Sequence, residues 1–281
     1  MKKIIMSLFL LCCAVATQAQ LLYEVSKDST TATSYVMASC RLLNPMGLIS
    51  QMPELKEAIT KTDQMYFEVN KNAYASSINE AKRLDGGKKL LPLLSPAQQQ
   101  KLNAFLKKYM EVDFSSTYVQ NKYGNLTPAA LLEDLEQLLF VANNMGKYDP
   151  TNTFDTYFEA QAKVNNEPIK GLSDVDSYIA ATYNSNLDGQ VEKLVNFLEN
   201  EDTELSKINK GIEAFGAKDL DRLAKNMPHT VNSAIIQAWS KKMGEVMVEK
   251  PTLFIIDAAN LAGSDGLLQQ LRNDGYSLKA M

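Results

Sequence analysis

Apolar and polar positions follow different rhythms at the two ends of the chain and in its middle. Near the start, Leu21-Leu22-Tyr23-Glu24-Val25 and Ser34-Tyr35-Val36-Met37-Ala38-Ser39-Cys40 are short β-prone runs. The polar stretch Lys27-Asp28-Ser29-Thr30-Thr31 between them predicts a β-hairpin. Pro53 opens a helix with Leu55, Ala58 and Ile59 at helical spacing, and Gln64-Met65-Tyr66-Phe67-Glu68-Val69 reads as a further strand. Asp85-Gly86-Gly87 breaks the pattern. From Ser95-Pro96 onward the period is helical: Leu102, Phe105, Leu106 and Tyr109 share one face. After Thr127-Pro128, so do Leu131, Leu132, Leu135, Leu138 and Leu139. More helices are predicted near 154–165, 174–198, 202–215, 219–226 and 230–248. The run Thr252-Leu253-Phe254-Ile255-Ile256-Asp257 is continuously apolar up to its last residue, as a strand buried on both faces should be. A short helix through Leu267, Leu268 and Leu271 and a closing strand at 276–280 complete the pattern. The expected fold class is α/β: a central mixed sheet built from the N- and C-terminal strands, flanked by a large helical middle region.

The first residues add a compartment. Lys2 and Lys3 precede an apolar stretch from Ile4 to Val15, and Thr17-Gln18-Ala19 places small side chains around a cut after Ala19. Residues 1–19 are therefore expected to be a signal peptide and residues 20–281 a single mature domain, exported to a periplasm or the extracellular space. The apolar stretch falls short of the roughly 20 residues that span a bilayer, so no integral membrane segment should remain. A lipid anchor on Cys12 or Cys13 is disfavoured, because Leu11 stands where a small residue is needed. Export leaves Cys40 as the lone cysteine, so the fold must rely on its apolar core rather than a disulfide.

Composition excludes more than it assigns. The chain has 281 residues, 29 Lys+Arg, 33 Asp+Glu and a single His. Its pI near 5.3 offers no basic footprint, so nucleic acid is not an expected partner. One imidazole cannot supply a site that needs two or three. His229, in Asn226-Met227-Pro228-His229-Thr230, reads as a surface or capping-region residue. Cys40 reads as a buried strand thiol, and Trp239 with Ile235, Ile236 and Met243 as a core stripe. Gly86-Gly87-Lys88-Lys89 is a basic turn, lacking the upstream glycine and following hydroxyl of a phosphate loop. The acidic run Glu199 to Glu204 reads as a solvated helix end. No zinc helix, CxxC pair or nucleophile elbow is present.

The strand-rich ends nevertheless carry a recognisable order of segments. Leu22-Tyr23-Glu24-Val25, Tyr35-Val36-Met37-Ala38-Ser39-Cys40-Arg41, Met52-Pro53-Glu54-Leu55 and Tyr66-Phe67-Glu68-Val69 follow one another at the start. Near the end come Phe254-Ile255-Ile256-Asp257-Ala258-Ala259-Asn260-Leu261, Gly263-Ser264-Asp265-Gly266-Leu267-Leu268 and Asp274-Gly275-Tyr276-Ser277-Leu278. Leu94-Ser95-Pro96, Asp155 and Pro168-Ile169-Lys170-Gly171-Leu172 fit loosely between them. Together these resemble the TraB/GumN family, which includes the Tiki proteins. The resemblance implies a divalent metal held by two histidines and nearby carboxylates, in support of peptide or related hydrolysis. It also places this chain's departures: Arg41 and Asn260 stand at the two histidine positions, Ala38 and Asp257 replace companion glycines, and Ser173 replaces a glutamate. Val231-Asn232 stands where the family carries an Arg-Asn pair, and Glu68 alone is kept.

Those departures set the functional expectation. A catalytic metal centre takes about three protein ligands and leaves one position open. A guanidinium has five donors and no lone pair to give. Arg41 close to a divalent cation would be repelled by about 8 kcal/mol, twice the roughly 4 kcal/mol for unit charges 4 Å apart at an effective dielectric of 20. Arg41 is instead expected to pair with Glu68, and with Asp257, in the metal's place. The expected pocket, without catalytic residues, metal or cofactor, comprises Ser39, Arg41, Glu68, Ser173, Asp257 and Asn260. It belongs to a non-catalytic binding or scaffold protein with an unidentified protein or peptide ligand. The alternative is a hydrolase that binds an oxygen-liking metal through Glu68, Asp257 and Asn260.

Overall fold

A computed structural model describes residues 20–27 and 33–281. The signal-peptide expectation, with Cys12 and Cys13, lies outside the described residues. Among them, six strands form one sheet: β1 (Leu22–Ser26), β2 (Ser34–Ser39), β3 (Gln64–Phe67), β4 (Ile169–Gly171), β5 (Thr252–Asp257) and β6 (Ser277–Ala280). Their spatial order is β4-β3-β5-β2-β1-β6. β2, β3, β4 and β5 run parallel, while β1 pairs antiparallel with β2 and β6. The fold is α/β with a mixed sheet, as the pattern predicted.

Sequence and position in the sheet agree closely. β5 lies between β3 and β2 and is covered on both faces; Leu253 and Phe254 are fully buried and Ile255 nearly so. Each such side chain contributes about 1.5–3 kcal/mol through burial. The outer strand β6 alternates exposed and half-buried residues and carries Lys279, a charge that discourages edge-to-edge pairing. β4 was not foreseen as a strand. It is only three residues long and half exposed, so its apolar signal is weak, and pairing with β3 decides its state.

The helical middle follows its capping signals. Ser95 and Gln98 close a reciprocal capping box on the helix Pro96–Met110. Thr127 caps the helix Pro128–Asn143 by accepting from the Ala130 amide; such a cap stabilises by about 1 kcal/mol. The predicted helix over 174–198 is in fact two, Val175–Thr182 and Leu187–Glu199, with Asn186 capping the second. The acidic run does not simply project into solvent. Glu199 pairs with Lys101, and Glu201 starts the helix Glu201–Gly216 while accepting from Lys108 at 2.5 Å and from Tyr109.

Two large apolar clusters result. One surrounds the sheet and includes Met37, Phe254, Phe158, Phe215 and Trp239. The other is helical and includes Leu102, Phe105, Leu131, Leu135, Leu139 and Phe197. The helix Pro128–Asn143 belongs to both, because Phe140 packs into the first cluster and Leu139 into the second. No helix among the described residues is long and apolar enough to cross a membrane.

Candidate functional site

In an open α/β sheet, residues just beyond the carboxyl ends of parallel strands are left unpaired and face a crevice, the usual place for a ligand. Here those ends are Ser39 of β2, Phe67 of β3, Gly171 of β4 and Asp257 of β5. A cavity of about 530 Å3 opens there, within the range of small-ligand sites. Ser39, Arg41, Glu68, Ser173 and Asp257 all line it. Glu133 and Glu136, from the helix Pro128–Asn143, form the facing wall; Tyr178 and the segment 230–232 complete the enclosure. Asn260, fully buried, stands behind the cavity wall against Glu68.

Strand register sets the floor. β3 and β5 pair as far as Phe67 and Ile255, so Glu68 is the next residue out beside the end of β5. Its Oε1 accepts from the Asp257 amide at 3.1 Å and from Asn260 Nδ2 at 2.9 Å. Ser39 lies directly opposite Asp257 in the β2–β5 ladder. Asp257 turns the chain into the short helix Ala258–Leu261 by accepting from the Ala259 amide through Oδ1 at 2.9 Å. That helix, which the apolar pattern did not announce, is what places Asn260. Gly266 then lets the chain fold back closely: a Cβ there would lie 2.2 Å from the Ala262 carbonyl oxygen.

The Asn260 amide is engaged at both ends. Its Nδ2 donates to Glu68 and also to Thr230 Oγ1 at 2.7 Å, and its Oδ1 accepts from the Thr230 amide at 2.9 Å. His229 steadies the same loop. Half-buried rather than superficial, its Nε2 lies 2.9 Å from the Ala262 carbonyl oxygen. Thr230 was missed beside the more conspicuous histidine.

Arg41 departs from expectation. It does not pair with Glu68; its Nη2 donates to Glu136 instead, across the cavity mouth. The physical reason is position. Arg41 lies beyond the end of β2, half exposed, where its long stem reaches the helical wall, whereas Glu68 is already supplied with two donors from β5 and Asn260. Burial opposes the charge on Arg41, but the Glu136 and Asp257 carboxylates outweigh it and raise its pKa. Glu136 was missed because it is one polar position among many on an amphipathic helix, with no signal that it faces a cleft. Ser173 has also found a partner: its Oγ accepts from Trp239 Nε1 at 2.7 Å. Asn232 caps the helix Ser233–Glu249 by accepting from the Ile235 amide.

Electrostatics mark the floor as unusual. Burial, reinforced by the Asp257 carboxylate, pushes the Glu68 carboxyl up to about 7, against the pull of Asn260. Burial likewise raises Asp257, although its bond from the Ala259 amide and the charges of Arg41 and Lys71 draw it back. The Cys40 thiol is pushed up to about 12 by burial and then by Asp257, leaving too little thiolate to act as a nucleophile.

The profile of the TraB/PrgY/gumN family matches residues 21–280. The chain belongs to the TraB/PrgY/gumN family. No curated protein and no solved structure matches it. The metal that the family resemblance implies does not suit this member's donors. The Asn260 amide is already tied into the floor, accepting from the Thr230 amide and donating to Glu68 and Thr230, and Arg41 brings a positive charge and no lone pair. Among the described residues, no three His, Cys, Asp or Glu side chains gather closely enough to hold an ion. What remains to this TraB/PrgY/gumN chain is a cleft rich in charge and hydrogen-bonding groups.

Proposed function

We propose that the protein is an exported, non-catalytic member of the TraB/PrgY/gumN family that uses the strand-end cleft to bind a protein or peptide ligand. The supporting observation is the closed bonding of Asn260. Where the family resemblance implies an imidazole, this chain has an amide tied on both sides to Glu68 and Thr230. Arg41 supports the same reading, since it ties the sheet to the helical wall. Such a floor is organised to hold its shape rather than to open a coordination site.

One observation favours a second reading. Among the described residues, Glu68 and Asp257 each keep one carboxylate oxygen clear of protein hydrogen bonds, as an altered hydrolase with an oxygen-liking metal would need. Elemental analysis of protein purified from metal-supplemented cells, with a peptide-cleavage assay on wild type and Glu68→Ala, separates the two. The non-catalytic reading expects substoichiometric metal and no Glu68-dependent cleavage; stoichiometric metal with cleavage lost in Glu68→Ala establishes the hydrolase. Mass spectrometry of the exported product should find Gln20 as its first residue, and a retained leader would refute export.

A further inference from the structure

We propose that the cavity takes a short zwitterionic peptide, its ammonium set against Glu68, Asp155 and Asp257 and its carboxylate against Arg41 and Lys71. The proposal rests on the reading of the cleft as a binding site, and it names the chemistry of the ligand. Both signs of charge line the same cavity with bonding capacity to spare. Arg41 has five N–H donors, and its only protein bond among the described residues runs from Nη2 to Glu136. Among the described residues, Lys71 has no carboxylate within ion-pairing distance; its Nζ lies 5.5 Å from the centre of the Tyr178 ring.

The acceptors are similarly incomplete. Glu68 commits Oε1 to two donors and Asp257 commits Oδ1 to the Ala259 amide. Among the described residues, Glu68 Oε2, Asp257 Oδ2 and both oxygens of Asp155 receive no protein hydrogen bond. Arg41 and Lys71 are near enough to favour the charged form of Asp257, yet neither closes onto Glu68, Asp155 or Asp257 as an ion pair. Apart from the Arg41–Glu136 and Lys82–Glu133 pairs, no ion pair joins the charges that line the cavity among the described residues.

A ligand of one sign cannot satisfy this arrangement. An anion at Arg41 and Lys71 would lie among the carboxyl groups of Glu68, Glu133, Glu136, Asp155 and Asp257, and a cation at the floor would face Arg41, Lys71 and Lys193. A molecule with an ammonium at one end and a carboxylate at the other meets both sets with charge-assisted hydrogen bonds. The cavity volume of about 530 Å3 is ample for a ligand of this size.

The test is calorimetry and thermal shift on the mature protein with free dipeptides of apolar, polar and charged side chains, beside their N-acetylated and C-amidated forms. Free dipeptides should bind, each cap should weaken binding at least tenfold, and Arg41→Gln or Asp155→Asn should do the same with unchanged circular dichroism. No binding by any free dipeptide at millimolar concentration, or equal binding of the capped forms, overturns the proposal. NMR of the same samples separates the two readings. A cleaved dipeptide refutes the non-catalytic assignment, whereas an intact dipeptide that does not bind refutes only the zwitterion.

Discussion

The sheet-centred and helical halves of the molecule contribute to the cleft by different physics. The floor hangs from the ends of β2, β3 and β5, whose register places Ser39, Glu68 and Asp257 side by side through backbone pairing. The facing wall is the helix Pro128–Asn143, held on its far side by the leucines of the helical cluster and joined to the floor by the Arg41–Glu136 ion pair. Backbone ladders define positions to a fraction of an ångström. A half-exposed ion pair is worth at most about 1 kcal/mol and tolerates movement. The cleft therefore has a firm side and a soft side, and the charges that face one another across it come from both.

The strongest way to break this comparison is to damage each core separately. Phe254→Ala in β5 should cost about 3–5 kcal/mol and Leu135→Ala in the helical wall about 2–5 kcal/mol, since both side chains are fully buried. The helix Pro128–Asn143 links the two clusters through Phe140 and Leu139, so each substitution should shift a single common transition. Trp239, the only tryptophan, reports the sheet side by fluorescence, while far-UV circular dichroism is dominated by the helices. If the two urea transitions separate in either variant, the halves are independent folding units.

Next in size is Asn260→Ala. It would leave the Thr230 amide and one site on Glu68 Oε1 unsatisfied beside a buried floor, costing roughly 1–3 kcal/mol. Equilibrium denaturation measures it, and a loss near zero would mean that the loop at 226–232 contributes nothing to the floor.

Glu68 adds a pH dependence with a definite sign. Its folded pKa, about 7, lies above its ordinary value of 4.5, so the folded chain binds the proton more tightly than the unfolded one. This contribution is fully present below about pH 4.5 and is lost as the pH rises towards 7 and just beyond. Asp257, also raised, acts in the same direction. Glu68→Gln keeps an acceptor oxygen for Asn260 and the Asp257 amide, so it should stabilise the protein at pH 8 by about 1–2 kcal/mol. It should also flatten the stability profile between pH 5 and 7; melting curves across that range would reveal an unchanged slope if another group were responsible.

The smallest expected effect is Arg41→Ala. The pair with Glu136 is partly exposed, so global stability should fall by less than about 1 kcal/mol. Hydrogen exchange should nevertheless quicken in the helix Pro128–Asn143 while the β5 amides keep their protection. Equal acceleration in both would show that the two sides of the cleft are equally firm.

Legibility followed the same division. β5 declares itself by an unbroken apolar run because it is covered on both faces, and the helix caps at Ser95 and Thr127 declare themselves through side chains that bond their own backbone. The segments carrying Ser39, Arg41, Glu68, Ser173, Asp257 and Asn260 could be found by their order along the chain. Their partners could not. Glu136 lies 95 residues from Arg41, and Thr230 lies 30 from Asn260; neither has a distinctive sequence pattern. β4 escaped for a related reason, being too short to show a period before β3 supplies its hydrogen bonds.

By itself, then, the chain determined most of its element types and the α/β class, because periodicity and capping are local properties. Only the tertiary structure decided that Asn260, not Arg41, would hold Glu68, and that Arg41 would reach across to Glu136. Which groups meet depends on strand register and on which wall a long side chain can reach, and neither is encoded within any one segment.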